Sequence, residues 1–220
     1  MMKALPFRAK VETASDIPQR PPQKKCTKVP ALWPLWRGGI LSAIAAIGFG
    51  CASSPRPIED AIAKTKPGNI TVVEFIDYKC DFCRSMNDVL TPLLEQHQGQ
   101  VTLYVKHVPL DKHPGAKRAA EVAICAEAQG KLAPVHEALM RGAGADDDSV
   151  LDTAQRAGLD VESFKACLRS DAPKERIARD TEEWEAAGAD GLPMVFIQRQ
   201  KFVGLVDVDP LERALREASP

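Results

Sequence analysis

The sequence lacks a marked excess of charge of either sign, an internal repeat, and any low-complexity block beyond its basic head. Its 220 residues include 29 Lys and Arg and 30 Asp and Glu, a formal net charge of −1. Residues 1–37 hold eight of the basic residues against Glu12 and Asp16, a net of +6, which leaves −7 for residues 38–220. Nucleic-acid binding requires a basic face, so this mildly acidic body argues against a nucleic-acid partner.

The sequence also lacks the second ligand pair of a structural zinc site. Cys80 and Cys83 are separated by two residues, but no further Cys or His pair follows at ligand spacing. The four histidines are scattered along the chain: His97, His107, His113 and His136. On local grounds the two thiols could be a metal clamp, a structural disulfide or a redox couple. We expect no metal and no other cofactor.

The N-terminal 52 residues resemble an export signal. The basic, Pro-rich residues 1–37 precede the uncharged stretch Gly38–Ala52, which fits the core of a secretory signal better than a full membrane span. Its end, "GFGCASSP", resembles a bacterial lipoprotein signal with Cys51 as the lipid-modified residue, although Gly48 stands where that pattern usually has Leu. An uncleaved anchor is the alternative. The positive-inside rule places residues 1–37 in the cytoplasm and the later chain in the periplasm, tethered to the membrane.

The remaining chain predicts a strand–helix–strand unit, a helical block and a closing hairpin with a helix. Residues 53–67 form a linker that includes a short helical stretch, and residues 68–220 form the folded domain. "ITVVEFID" (70–77) and "QVTLYVKHVPL" (100–110) predict parallel strands that flank a helix. About 75 residues without a convincing strand follow, and we place the helical insertion at about 111–188. "PMVFIQ" and "KFVGLV" predict a hairpin with its turn at Arg199–Gln200, before a final helix.

A Cys-x-x-Cys pair at the start of a helix suits redox chemistry. Unpaired backbone N–H groups and the positive end of the helix dipole stabilise a thiolate at the first cysteine. The spacing lets Cys83 close a disulfide on Cys80 within one turn. Farther along, "GLPMVFI" places Pro193 at the head of a strand, where a cis Leu192–Pro193 bond is plausible and a simple strand-start proline is the alternative.

Together these segments resemble the DsbA-like thiol:disulfide oxidoreductases of the thioredoxin superfamily. The resemblance covers roughly 150 residues and rests on four segments: "ITVVEFIDYKCDFC", "PLDKHPGAKRAAEVAICAEAQGKL", "LDVESFKACL" and "GLPMVFI". It implies an α/β fold, thioredoxin-like with an inserted α-helical domain, and a cis-Pro193 opposite the active site. It also implies an exposed nucleophilic Cys80, a buried resolving Cys83, and a buried acid at Glu74 that relays a proton. An edge-strand carboxylate is the alternative for Glu74.

Export makes further disulfides possible, because exported proteins fold in an oxidising compartment. Cys125 and Cys167 lie in separate predicted helices, and some members of the resembled family carry a disulfide there. Two buried free cysteines that act as small apolar residues are the alternative.

The sequence therefore predicts an exported thiol:disulfide oxidoreductase that exchanges a Cys80–Cys83 disulfide with the thiols of reduced or misfolded exported proteins. An extended substrate is expected to contact Leu192 and Phe82, and a membrane redox partner is expected to reoxidise the pair. The family commonly has Pro at position 81, and the anion of Asp81 disfavours a thiolate beside it, which predicts a weaker oxidant. A reductase or isomerase, and a non-catalytic lipoprotein chaperone with a structural disulfide, are the alternatives.

Overall fold

A computed structural model describes residues 57–144 and 146–219. The predicted basic region, the signal or anchor segment with Cys51, and the first residues of the linker lie outside these residues. Within them, no helix is both long enough and apolar enough to cross a membrane.

The centre of the fold is a four-stranded sheet in the order β2-β1-β3-β4. β1 (Ile70–Ile76) and β2 (Val101–His107) are parallel and are joined through α2 (Asp81–Gln96), as the strand–helix–strand pattern predicted. β3 (Met194–Ile197) runs antiparallel to β1, and β4 (Gln200–Val203) forms a hairpin with β3. The closing helix α8 covers Val208–Ala218.

Five helices lie between β2 and β3: α3 (Ala116–Glu127), α4 (Leu132–Met140), α5 (Asp147–Arg156), α6 (Val161–Arg169) and α7 (Ala172–Ala186). A mixed sheet interrupted by a block of helices is the predicted fold class, a thioredoxin-like α/β fold with an inserted α-helical domain. The predicted insertion at about 111–188 contains all five helices.

The two faces of the sheet are covered by different elements. Side chains alternate along β1, so that Val72 and Ile76 belong to the larger core shared with α2, α3 and α8. Val73 and Phe75 face the opposite side and pack in a smaller core with α1 (Pro57–Lys64). All seven residues of β1 are buried, as expected for a central strand covered on both faces.

Two predicted boundaries were wrong. The segment assigned as linker contains α1, whose Ile58 and Ala61 are buried against the sheet, so the folded domain begins no later than Pro57. The hairpin turn lies at Gln198–Arg199, one residue earlier than predicted, because Gln198 adopts a positive φ of 51° and Gln200 already pairs with Ile197.

Candidate active site

The two cysteines lie where β1 gives way to α2. Cys80 has an extended backbone (φ −84°, ψ 121°) and occupies the N-cap of α2, so its sulfur is at the positive end of the helix. Its N–H donates to the Asp77 carbonyl over 3.1 Å, which closes the turn between strand and helix. Unpaired N–H groups at a helix start favour a thiolate, as the sequence pattern requires for a redox thiol.

The two thiols differ in accessibility. Cys83 is fully buried, and 7% of Cys80 remains exposed. The resemblance implied an exposed Cys80, and this was wrong in degree because the side chain packs within the larger core and reaches solvent over a small area. Of the two cysteines, Cys80 is the one with any exposed surface.

Cys83 sits in surroundings that favour its neutral form. Burial raises the pKa of its thiol, and the neighbouring Cys80 and Glu74 raise it further. The Asp77 N–H donates to the Cys83 sulfur over 3.4 Å and acts in the opposite direction. The Asp77 N–H therefore stabilises a negative charge on Cys83, and a nearby proton donor would remove that charge.

Glu74 lies in β1, between β2 and β3, which excludes the edge-strand alternative. It points to the same face as Ile76, is 1% exposed, and its Oε1 has no hydrogen-bond partner among the described residues. Burial raises its pKa to about 7. The carboxyl can therefore hold or release a proton near neutral pH beneath Cys83, whose pKa responds to its charge.

The Leu192–Pro193 peptide bond is cis. Met194 pairs with Phe75 in the antiparallel β1–β3 ladder, so Pro193 lies at the sheet edge where β1 ends and the Cys80 turn begins. The Pro193 carbonyl accepts a hydrogen bond from the Gly204 N–H over 2.8 Å, which joins this loop to the end of β4.

The predicted substrate-contacting residues differ in exposure. Phe82 is 62% exposed at the start of α2, which is unusual for a large apolar side chain, whereas Leu192 is half-buried between the two cores. Val203 and Leu205 are also exposed, at the end of β4 beside the loop of Pro193. Apolar side chains are therefore exposed both at the start of α2 and beside the loop of Pro193.

Cys125 and Cys167, which are 42 positions apart in sequence, form a disulfide that joins α3 to α6. It lies within the helical insertion, while Cys80 and Cys83 are both free thiols. No group of three or more His, Cys, Asp or Glu side chains in the described part of the chain could hold a metal ion.

Sequence reasoning missed several polar residues around the dithiol turn. The buried Asp77 carboxylate contacts His113, and the Tyr78 hydroxyl lies 3.1 Å from Nδ1 of His136. Asn87 Oδ1 lies 3.2 Å from Nε2 of the same imidazole. Asp77 and His113 lie within the segments "EFIDYKC" and "PLDKHPG", and these segments were the signal that could have drawn attention to them. The two residues are 36 positions apart, and the sequence gives no sign that they pair.

Comparison with known proteins agrees with this geometry. The family model described as a DSBA-like thioredoxin domain matches residues 71–216. A crystal structure of a thioredoxin-like oxidoreductase from Silicibacter pomeroyi is similar, with 30% identity and a TM-score of 0.60, over 69% of this chain and 87% of that one. The thiol-disulfide exchange protein alpha-DsbA2 from Wolbachia pipientis shares the fold, with 22% identity and a TM-score of 0.62, over 70% of this chain and 84% of that one.

Curated relatives with a different name also match. The Na(+)/H(+) antiporter NhaA 3 of Salinispora tropica is 29% identical over 166 residues, which are 74% of this chain and 25% of that protein. The Na(+)/H(+) antiporter NhaA 1 of Mycolicibacterium gilvum is 27% identical over 218 residues, 93% of this chain and 35% of that protein. The chain thus spans about a quarter to a third of the length of these relatives. With most of its folded residues matched by the family model, the chain belongs to the DsbA-like thioredoxin domain family.

Proposed function

We propose that this protein is an exported thiol:disulfide oxidoreductase that exchanges a Cys80–Cys83 disulfide with the thiols of other proteins. The observation that carries the proposal is the asymmetric pair at the start of α2: Cys80 reaches solvent at the helix N-terminus, and Cys83 is buried behind it. The cis Leu192–Pro193 bond at the same edge of the sheet supports it.

In the oxidase direction, a substrate thiolate attacks the Cys80 sulfur. A bond forms between these two sulfurs, the Cys80–Cys83 bond breaks, and its electron pair leaves on Cys83. Glu74, with its pKa raised to about 7, can supply the proton that Cys83 takes up. The substrate's second thiolate then attacks the substrate sulfur of the mixed disulfide, which releases an oxidised substrate and the reduced pair.

The substrate class is reduced or misfolded exported protein. Phe82 and Leu205, both more than half exposed, flank the site and offer apolar contacts to an extended, unfolded chain beside Leu192 and Pro193. A membrane redox partner would accept the two electrons from the reduced pair. The antiporter relatives are three to four times as long as the part that matches, so their transport activity is not proposed for this chain.

Asp81 bears on the direction of electron flow. Its carboxylate forms an ion pair with Arg84 and is 88% exposed, so solvent and Arg84 both weaken its effect on the thiolate. We propose the oxidase direction with a moderate driving force, and the reductase or isomerase direction is the outcome if the pair is strongly reducing.

Export and tethering belong to the same proposal. The basic head and the uncharged stretch that ends at Cys51 support a lipidated or anchored N-terminus on the periplasmic side of a bacterial membrane. The mass of the mature N-terminus distinguishes a lipidated Cys51 from a cleaved signal and from an uncleaved anchor.

The activity is tested with two assays on the full chain: oxidation of a dithiol peptide by the disulfide form, and reduction of insulin by the dithiol form. Cys80→Ser is expected to abolish both, and Cys83→Ser to accumulate a mixed disulfide between Cys80 and insulin, because Cys83 is the thiol that would resolve it. The matched control replaces Cys125 and Cys167 with Ser, which should retain both activities. Loss of both activities with full retention of the biological role in Cys80→Ser would instead support a non-catalytic chaperone.

A further inference from the structure

The carboxylate of Asp77 is a buried junction between two loops. Its side chain has no exposed surface. Oδ1 accepts the Lys79 N–H over 2.8 Å, on the turn that leads to Cys80. Oδ2 accepts the Leu110 N–H over 2.9 Å and lies 2.7 Å from Nδ1 of His113, both in the loop between β2 and the helical insertion. One carboxylate thus joins the dithiol turn to the loop that opens the insertion.

The backbone of Asp77 contacts both halves of the dithiol motif. Its N–H donates to the Cys83 sulfur over 3.4 Å, and its carbonyl accepts the Cys80 N–H over 3.1 Å. The contacts that hold Asp77 in place therefore also hold its N–H close to the Cys83 sulfur and its carbonyl close to the Cys80 N–H.

A carboxylate in this position needs a partner, because a buried charge without one is costly. The adjacent Lys79 does not supply it, since its Nζ donates to the Ala143 carbonyl over 3.2 Å. His113 does supply it, and its side chain is 21% exposed. The carboxylate of Asp77 and the imidazole of His113 are therefore the side-chain contact that joins the two loops.

We propose that Asp77 and His113 are a positioning pair for the dithiol, which holds the Asp77 N–H against the Cys83 sulfur during exchange. The proposal rests on the proposed function of the Cys80–Cys83 pair. When a substrate thiolate attacks Cys80, the disulfide electron pair moves onto Cys83. A hydrogen bond to an ionised acceptor is stronger than one to a neutral acceptor, so the N–H stabilises Cys83 as it leaves. The same N–H contact is present with Cys83 as a free thiol, so the pair favours the reduced state as well as accelerating the exchange step.

The test measures the equilibrium of the full-length protein with glutathione and the rate at which a thiol peptide reduces its disulfide. His113→Ala is expected to shift the equilibrium about three- to tenfold toward the protein disulfide and to slow the rate by a similar factor, as for the loss of one hydrogen bond. Asp77→Asn should act in the same direction. His113→Gln keeps an N–H donor for Asp77 and should recover most of the loss.

The control is Glu127→Gln, which breaks a buried ion pair with Arg176 between two helices of the insertion, α3 and α7. It should lower stability and leave the glutathione equilibrium and the rate within about twofold of the wild type, a margin smaller than the effect of one hydrogen bond. An unchanged equilibrium and rate in His113→Ala, with wild-type exchange intact, would overturn the proposal. If His113→Ala does not fold, the proposal requires that Asp77→Asn shift the glutathione equilibrium toward the protein disulfide and that His113→Gln leave it close to that of the wild type. Absence of exchange in the wild type would instead overturn the proposed function.

Discussion

At the scale of single residues, the proposed chemistry depends on the unequal surroundings of two sulfurs three positions apart in the sequence. Cys80 has a small solvent-exposed area and the start of α2 beneath it, whereas Cys83 has no exposed surface. Burial raises the pKa of Cys83, so its thiolate needs the Asp77 N–H and a nearby proton carrier. In the proposed reaction, Cys80 therefore receives the external attack and Cys83 is the leaving group.

The first prediction concerns Asp81. Asp81→Asn removes a negative charge beside the Cys80 thiolate, which should favour the reduced protein and make the pair more oxidising. Because Asp81 is exposed and paired with Arg84, the expected change in the glutathione equilibrium constant is about two- to threefold. Asp88→Asn, an exposed substitution two turns along the same helix, is the control. A shift toward the protein disulfide in Asp81→Asn would contradict this role.

The second prediction concerns Glu74. Its pKa is raised from 4.5 to about 7 by burial, so the folded state binds its proton more tightly than the unfolded chain does. The stabilising contribution is full below pH 4.5 and disappears as the pH rises through about 7. Glu74→Gln should therefore match the wild type at pH 4 and exceed its stability by about 3 kcal/mol at pH 8. Urea unfolding at both pH values measures this.

If Glu74→Gln has the same stability difference from the wild type at pH 4 and at pH 8, the carboxyl titrates normally and cannot serve as the proton carrier for Cys83. A wild-type rate of disulfide reduction in Glu74→Gln would show that Glu74 is not the proton carrier for Cys83, whatever its effect on stability.

At the scale of elements, the parts that follow from local patterns were predictable. The β-branched run before Cys80, the apolar face of the following helix and the alternating second strand specified the parallel β1–α2–β2 unit. The antiparallel β3–β4 hairpin was likewise confirmed. These features depend on periodicity and turn residues within short windows, which one sequence contains.

Features that depend on tertiary contacts were not predictable. The turn at Gln198–Arg199 requires a positive φ at a residue type that rarely signals it. A short helix was predicted in the linker, but its packing was not, because only the sheet it lies against makes the apolar residues of α1 part of a core. The Asp77–His113 contact joins loops 36 residues apart, and no periodicity encodes such a pairing.

The third prediction concerns the disulfide between α3 and α6. Replacing both Cys125 and Cys167 with Ala releases a constraint across 42 residues of the unfolded chain. The chain-entropy model gives a loss of about 3–4 kcal/mol in the free energy of unfolding, measured by urea denaturation. The exchange activity of Cys80 and Cys83 should persist under conditions where the variant is folded. Unchanged stability would show that the bond has no structural role.

At the scale of the whole molecule, buried polar groups join the helical insertion to the sheet. Arg176 of α7 donates to Glu127 of α3 over 3.0 Å and to Asp180 over 2.9 Å, and Asp180 accepts the His107 N–H at the end of β2. Arg176 lowers the pKa of Asp180 against the opposing effect of burial. Two of the helices are thus held to the strand that borders the dithiol turn.

The fourth prediction is loss of stability in acid caused by buried imidazoles. Burial lowers the pKa of His107 to about 3 and that of His136 to about 4, against 6.5 in the unfolded chain. The unfolded state therefore binds more protons below pH 6.5, and stability falls as the pH drops from 6.5 toward these values. For His136 alone the loss amounts to about 3 kcal/mol by pH 4.

His107→Leu isolates this effect, because neither ring nitrogen of His107 has a hydrogen-bond partner among the described residues. The backbone N–H that Asp180 accepts remains in the variant. The stability of His107→Leu relative to the wild type should increase steadily from pH 6.5 to pH 4, as followed by thermal or urea unfolding. A constant difference across this range would show that His107 does not titrate in a buried, neutral form.

The central claim is that Cys80 and Cys83 form a reversible two-electron couple, and it is tested most directly by equilibrating the full chain with glutathione buffers. Alkylation of free thiols and intact-mass measurement then report the fraction oxidised. We expect one transition that involves both Cys80 and Cys83, is abolished by Cys80→Ser, and leaves the Cys125–Cys167 disulfide intact. Two thiols that stay reduced at every ratio of oxidised to reduced glutathione would contradict the claim.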